Sequence, residues 1–221
     1  MPINQPCRDV GALPGIVPIF PLLGALLLPR GEMPLNIFEP RYLQMVDDAL
    51  KGARVIGMVQ PDPDNGKGRQ PNLCAVGCLG RITSLAESGD GRYLLTLTGV
   101  ARFRIVAEET GVTAYRRARV DYKDYAADIV ARAGEDEVDR TGLLRTLADF
   151  LEVNDLKADW GSIERAPVEA LVNALAMMSP FGPREKQAFL EAADLKARAD
   201  MLVAVAEMEL ARSGDDSASI Q

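Results

Sequence analysis

Hydrophobic and polar positions change their spacing about halfway along the chain. Up to about residue 125, short apolar runs alternate with polar positions at a period of two or are bounded by proline and glycine, as in β-strands. Beyond that point apolar positions recur every three to four residues in segments rich in Ala, Leu and Glu, which predicts amphipathic helices. The pattern therefore predicts a β-rich half followed by a helical half.

The first half contains six segments with a strand pattern and one with a helix pattern. Asp90 and Gly91 suit the tight turn of a hairpin between the two longest strands. Glycines inside these strands, Gly77, Gly80 and Gly99, predict bulges like those of a small coiled barrel. The predicted strands are residues 16–20, 26–28, 54–59, 73–85, 93–106 and 114–122.

The one helix of this half is predicted over residues 40–51. Glu39 is in position to cap it, Pro40 begins it and Gly52 ends it. Residues 60–71, in contrast, consist mainly of Pro, Asp, Asn, Gly and Lys without an apolar anchor, and they predict a mobile surface loop.

Four helices are predicted in the second half, over residues 135–153, 167–178, 183–192 and 195–212. Pro167 and Pro183 open two of them, Asp194 caps the last and Gly214 ends it. The acidic run at 135–137 is interpreted as favourable charge in a first helical turn, with a magnesium or calcium site as the alternative. The predicted organisation is a loose lead-in (1–14), a β-rich subdomain (15–125), a helical subdomain (126–212) and a polar tail (213–221).

Charge is divided unevenly between the two halves. Residues 1–125 carry 15 basic and 13 acidic side chains, whereas the remainder carries 10 and 19. Binding to nucleic acid needs clustered Lys and Arg to neutralise phosphates, and an acidic chain disfavours it. The alternative of RNA binding rests on one dense cluster: Arg102, Arg104, Arg116, Arg117 and Arg119.

The residue types that usually perform catalysis are scarce. Histidine is absent, and the six lysines lie in strongly polar contexts where burial would not lower their pKa. The glycines around Lys67 do not match a phosphate-binding loop, and the three cysteines, Cys7, Cys74 and Cys78, match neither a disulfide framework nor a metal knuckle. We therefore expect no catalytic residue, no cofactor and no metal.

The most apolar stretch of the chain, residues 16–28, is too short to span a bilayer and is interrupted by Pro18 and Pro21. We therefore expect a soluble, cytoplasmic protein without a membrane partner. Met177, Met178 and Phe181 are candidates for an adaptable partner-binding surface, because methionine accommodates varied partners. Packing between helices is the alternative explanation for the same three residues.

Several short motifs together resemble one known family. The strongest is I-F-E-P-R-Y at 37–42, preceded by P-I-F-P-L at 18–22, L-P at 28–29 and P-L at 34–35. I-G-M-V at 56–59, V-G-C at 76–78, G-R-Y at 91–93, G-V-A-R-F-R-I at 99–105 and the segment 179–190 follow in order. Over roughly residues 14–212 the chain resembles the N-terminal, substrate-binding domain of Lon protease.

The resemblance implies an α+β fold, a PUA-like β-barrel with one embedded helix followed by a C-terminal helical bundle. It also implies a non-catalytic protein that binds unfolded or partner polypeptides, with a role as an adaptor in protein quality control. We expect neither the ATPase nor the Ser-Lys protease module of Lon to accompany it. Phe38 and Tyr42 are expected to pack the helix onto the barrel, with Glu39 and Arg41 setting its entry.

Overall fold

The computed structural model describes residues 9–64, 71–111, 113–153 and 159–218, with side chains described as far as residue 211. A 3-10 turn at Val10–Ala12 leads into the first strand. The strands of these described residues form one sheet. They are β1 (Ile16–Pro21), β2 (Glu32–Ile37), β3 (Val55–Val59), β4 (Val76–Glu87), β5 (Tyr93–Glu109) and β6 (Arg116–Asp121).

The sheet closes into a ring because β5 is long enough to pair with three strands. The order is β2-β5-β4-β3-β1-β6, and a further pairing of β5 with β6 closes it. The first half of β5 pairs with β2, and its second half pairs with β6, from Arg104 opposite Asp121 to Glu109 opposite Arg117. β1 and β3 are parallel, and the other paired strands are antiparallel. The predicted combination of a ring of strands with helices is confirmed.

Two of the three strand glycines lie at the predicted irregularity. The pairing of β4 with β5 shifts register where Gly80 lies opposite Gly99. A side chain at Gly99 would collide with the carbonyl oxygen of Leu28, so glycine lets the loop cross the strand. Gly77 shows no register shift. A Cβ there would stand 2.7 Å from the Phe103 ring, so this glycine leaves room for a core side chain.

The embedded helix α1 (Pro40–Lys51) is confirmed at both ends. Glu39 occupies the N-cap position without a side-chain hydrogen bond, and Gly52 follows the last turn. Tyr42 is buried and meets the Phe20 ring edge to face, with 4.4 Å between ring centroids. The expectation for Phe38 was wrong, because its side chain is 61 % exposed and lies under the Arg92 guanidinium, 5.9 Å from the ring centroid.

The strand predicted at 26–28 was wrong, and β2 was not predicted at all. Residues 26–28 are buried leucines in a loop that forms no strand. β2 has the period-two burial of a half-exposed strand, with Pro34 among its exposed positions. Proline is tolerated there because β2 is an outer strand with one hydrogen-bonded neighbour.

The helical part is more interrupted than predicted. A 3-10 helix at Lys123–Ile129 follows β6, and another at Glu135–Glu137 stands where the longer helix of residues 135–153 was expected to begin. The expected stop at Gly214 was wrong, since the last helix continues to Ala218. The α-helices are α2 (Arg140–Val153), α3 (Trp160–Arg165), which was not predicted, α4 (Val168–Met178), α5 (Pro183–Glu191) and α6 (Leu195–Ala218).

Strands and helices share one large hydrophobic core. It joins Phe20, Ile56 and Leu97 from the strands to Val172 and Leu202 from the helices. A second cluster fills the ring of strands around Phe103. Because the main core crosses residue 125, the helices are packed directly against the barrel. The surface where the two meet, which we call the junction, carries the candidate site.

Candidate functional site

A cleft of about 360 Å³ opens at the junction. One wall is Arg30 in the loop before β2 together with Glu32 at the start of β2, and the other is α4, including Met177 and Met178. Arg132, in the connection before α2, also lines it. A volume of this size is within the usual range for a binding pocket.

The α4 wall of the cleft is apolar where a surface helix normally carries charge. Ala170, Ala174 and Met178 are exposed and recur every four residues, so they form a stripe along the helix. The opposite side of α4 is buried through Leu171, Val172 and Ala176. α4 is therefore apolar on its exposed side as well as on its buried one.

The two polar side chains of α4 do not relieve this apolar surface, because both are buried. Glu169 receives two hydrogen bonds from Arg30, of which Nε to Oε2 measures 2.9 Å. Asn173 donates through Nδ2 to the carbonyl oxygen of Pro29 at 3.0 Å. Both side chains bind the loop that forms the opposite wall, and so they fix the two walls of the cleft relative to each other.

Two residues that line the cleft have an unusual backbone conformation. Arg30 and Arg132 both have a φ of 64°, the left-handed region that non-glycine residues rarely adopt. Their contacts converge on Glu169 Oε2, which accepts the backbone N–H of Arg132 at 2.9 Å and the Nε of Arg30 at 2.9 Å. Arg30 Nη1 also donates to the carbonyl oxygen of Asp128 at 2.5 Å. Conformations of this kind cost about 1–3 kcal/mol each and persist where surrounding contacts hold them, often at functional sites.

Glu135, the first residue of the 3-10 helix at 135–137, connects Arg132 to α4. Its carboxylate accepts the backbone N–H of Glu169 at 2.9 Å, at the start of α4, and the Nε of Arg132 at 2.6 Å. Burial opposes its ionisation, but these two hydrogen bonds and the positive charges of Arg132 and Arg140 together outweigh burial and lower the pKa of Glu135. The predicted helix over 135–153 was wrong at its start, because α2 begins at Arg140 and the acidic run forms a separate 3-10 turn. Glu135 of that turn binds the start of α4 instead.

The buried part of the junction contains a network of polar side chains. Arg102 is 3 % exposed and binds Asp128 through Nη2 at 2.8 Å and Nε at 2.9 Å. Arg102 also donates to the carbonyl oxygen of Leu190, in the last turn of α5, and to that of Ala192, which caps the end of α5. The network therefore connects β5, the connection after β6 and α5.

The network continues to α6 through a second buried arginine. Arg198 donates to the carbonyl of Phe189 at 2.9 Å and to Asn173 Oδ1 at 3.1 Å. Burial, with Arg102 nearby, lowers the pKa of Arg198 to about 10. Gln60 is likewise 1 % exposed and bonds to Gln187 of α5 at 3.1 Å. The start of the predicted 60–71 loop is thus anchored, and residues 65–70 lie outside the described residues.

The structure separates the three predicted partner-binding residues. Met178 is 84 % exposed at the cleft, and Met177 is half-buried against Gly31, where any side chain would collide with its sulfur. Phe181 points elsewhere. Its ring lies 5.5 Å from that of Phe189 and 6.0 Å from that of Phe150, between the helices.

The arginines of the RNA alternative are not presented as one basic surface. Arg102 is buried, and Arg104 binds Asp124 at 3.0 Å. The antiparallel pairing of β5 with β6 brings acidic side chains next to the others. Arg116 binds Glu108 at 2.5 Å, Arg119 binds Glu109 at 2.7 Å, and Arg117 is exposed.

The cysteine thiols that the structure describes are weak nucleophiles. Burial raises the pKa of Cys74 to about 11, and it also raises the pKa of Cys78. Cys7 lies outside the described residues. Within the described part of the chain, no three His, Cys, Asp or Glu side chains lie close enough together to hold a metal ion.

Sequence reasoning missed the polar half of the cleft. Arg30 and Glu169 are 139 positions apart, so no spacing connects them, and Glu169 has the ordinary pattern of an acidic residue in a first helical turn. One signal was available: α4 contains only one charged residue in 11. A surface helix with so little charge marks an apolar interface.

Comparison with known proteins places this fold in one family. Residues 16–205 match the family model of the ATP-dependent protease La (LON) substrate-binding domain. Lon protease 2 of Myxococcus xanthus is 31% identical over 86% of this chain, and Lon protease 2 of Sorangium cellulosum is 29% identical over 95%. The chain belongs to the Lon substrate-binding domain family.

The match covers only part of these relatives. The chain spans 23% of the Myxococcus protein and 27% of the Sorangium protein. Among solved structures, the Lon N-terminal domain protein from Xanthomonas campestris has a TM-score of 0.62 at 23% identity, covering 86% of this chain and 97% of that one. The N-terminal domain of Mycobacterium avium complex Lon protease also has a TM-score of 0.62, at 16% identity, with 87% of this chain and 98% of that one covered. Both share the fold.

The helices were also compared with the requirements of a membrane span. None of the helices in the described ranges is both long enough and apolar enough to cross a bilayer.

Proposed function

We propose that this protein captures apolar segments of unfolded or partner polypeptides in the junction cleft, without catalysing a reaction on them, as an adaptor in protein quality control. The observation that carries the proposal is the exposed stripe of Ala170, Ala174 and Met178 on a helix whose only charged side chain is buried. Membership of a substrate-binding domain family supports the same role.

The shape of the cleft suits an extended chain. Small alanines along α4 allow a backbone to approach, and Met178 offers a flexible thioether that adapts to different apolar side chains. The opposite wall carries Arg30 and Glu32, so polar groups of a bound peptide also have partners. Apolar contact with polar contacts at the rim is the usual composition of a transient protein interface.

The cleft is built to be open before a ligand arrives. Arg30 and Asn173 cross the junction from opposite sides, and their hydrogen bonds to Glu169 and Pro29 hold the loop and α4 in place. A preformed site loses less conformational entropy on binding than one that must be ordered. We therefore expect binding without a large change in the fold.

The test is titration of a fluorescein-labelled, methionine-free peptide of alternating leucine and serine. Met178→Asp places a charge on the apolar stripe, and we expect it to weaken binding by more than about tenfold, equal to about 1.4 kcal/mol. Met208→Asp is the matched control, because Met208 is a helical methionine that is 56 % exposed and does not line the cleft. Equal loss in both variants, or no binding to the unmodified protein, would contradict the proposal.

RNA binding is the weaker candidate, because Arg102 is buried and Arg104, Arg116 and Arg119 each bind a carboxylate. The two functions differ in salt dependence. Phosphate contacts make affinity fall steeply with ionic strength, whereas apolar capture changes little between about 50 and 200 mM salt.

A further inference from the structure

The methionines of this protein differ widely in their access to solvent. Met178 is 84 % exposed and Met208 is 56 % exposed, whereas Met45 and Met58 are buried at 0 % and 4 %. Met177, next to Met178 in the sequence, is half-buried against Gly31. The most exposed methionine in the described part of the chain is therefore also the one at the mouth of the cleft.

Oxidation would change the chemistry of that position without changing its size much. A hydroperoxide transfers one oxygen atom to the thioether sulfur, so the sulfide becomes a sulfoxide and the peroxide is reduced to water or an alcohol. The product is polar and strongly accepts hydrogen bonds, while methionine is apolar. Exposure governs how readily each thioether meets the oxidant.

The other side chains of the exposed stripe on α4 offer the new sulfoxide no hydrogen bond. Its neighbours along the exposed side of α4 are Ala170 and Ala174, whose side chains donate no hydrogen bond. An apolar side chain laid over Met178 would cover the sulfoxide oxygen where α4 offers it no hydrogen-bond partner, which is unfavourable. Met208 differs, because it is flanked in sequence by Glu207 and Glu209 on another helix and does not line the cleft.

We infer that Met178 is a redox-sensitive modification site, and that its oxidation by hydroperoxides to the sulfoxide releases polypeptide from the junction cleft. This inference rests on the proposed function. It adds that capture is regulated at one side chain.

The experiment treats the whole protein with hydrogen peroxide, removes the peroxide with catalase and maps each methionine by mass spectrometry. The dose is chosen from a time course so that Met178 is oxidised while Met45 and Met58 remain intact. The same methionine-free leucine–serine peptide is then titrated. We expect Met178 to be oxidised first and the affinity to fall by at least about fivefold, the minimum effect of burying an unpaired polar group.

Three variants assign the effect to Met178. In Met178→Leu the ratio of affinities before and after peroxide should stay near one, whatever its starting affinity. Met208→Leu should bind as the unmodified protein does and lose affinity on oxidation in the same way. Met178→Gln, which carries a permanent polar group, should bind weakly without any peroxide.

The outcomes separate the two proposals. If the untreated protein does not bind the peptide, capture fails and the inference falls with it. If the peptide binds, but oxidation of Met178 leaves its affinity unchanged or Met208 is oxidised well before Met178, capture stands and the inference is overturned.

Discussion

The junction between the strands and the helices has two contrasting sides, the exposed cleft, which we call the open side, and the buried polar network, which we call the closed side. On the closed side, Arg102, Asp128 and Arg198 are buried and bound to carboxylate, carbonyl or amide groups. On the open side, Ala170 and Met178 are apolar and exposed. The polar groups are where water is excluded, and the apolar groups are where water is present.

This inversion is informative because each side alone is unfavourable. A buried charge is tolerated only when it is paired, and the pair mainly fixes geometry rather than adding net stability. An exposed apolar stripe does not stabilise the fold of a monomer, because its side chains stay in contact with water. Together they describe a rigid frame that holds a surface open for another chain.

The largest effect is expected from breaking the closed side. Arg102→Met leaves Asp128 as a buried carboxylate without its guanidinium partner. We expect the free energy of unfolding to fall by about 3–5 kcal/mol. Chemical denaturation measures this. The matched control is Arg104→Met on the same strand, whose pair with Asp124 is exposed and screened by solvent, so its loss should leave the free energy of unfolding nearly unchanged.

A double variant sharpens the same point. Arg102→Met combined with Asp128→Leu removes both charges and should recover most of the lost stability. If the single variant loses no more than Arg104→Met, the buried network does not hold the junction.

The next largest effect on stability is expected at Phe181, in contrast to Met178 three positions before it. Phe181 packs on Phe150 and Phe189, so Phe181→Ala should cost about 2–3 kcal/mol of unfolding free energy, the lower end for a phenylalanine that is not fully buried. Met178→Ala changes an exposed side chain and should stay within about 0.5 kcal/mol. Thermal and urea unfolding of both variants decide whether core and surface are divided as described.

The smallest effect concerns pH. The pKa of Glu135 is lower in the folded protein than the value of about 4.3 expected in the unfolded chain. Its contribution to stability is therefore complete above about pH 4.3 and disappears as pH falls through the lower, folded-state pKa.

Glu135→Gln should accordingly cost about 0.5–1 kcal/mol at pH 7, the usual effect of a charge at a helix start, and progressively less towards pH 3. Glu137→Gln, at an exposed position of the same 3-10 helix, is the control and should show a much weaker trend. A constant difference across the pH range would indicate that Glu135 acts through packing alone.

Local pattern predicted the elements whose burial is simple. Helix α1 was predicted with both ends because proline, glycine and one apolar face agree, and the long hairpin of β4 and β5 followed from alternation around Gly91. The failures had a different cause. Buried loop leucines at 26–28 have the composition of a strand, and β2 was obscured by Pro34, which only an outer strand tolerates.

The candidate site was predictable only by half. Met177 and Met178 were chosen for their side-chain chemistry, and both line the cleft. Phe181 was chosen on the same grounds, but it is half-buried against the core, between the helices and away from the cleft. Arg30, Glu169 and Asn173 could not be paired from sequence, because their contacts join segments more than 130 positions apart.

Methionine methyl NMR tests polypeptide capture at the cleft most directly, because the chain has eight methionines to report on different places. With ¹³C-methyl methionine, assigned by single Met→Leu variants, the leucine–serine peptide is titrated into the protein. We predict saturable shifts for Met178 and Met177, and unchanged signals for Met208 and Met45. Shifts at Met208 without shifts at Met178, or no shift at any methionine while the peptide binds, would contradict capture in the junction cleft.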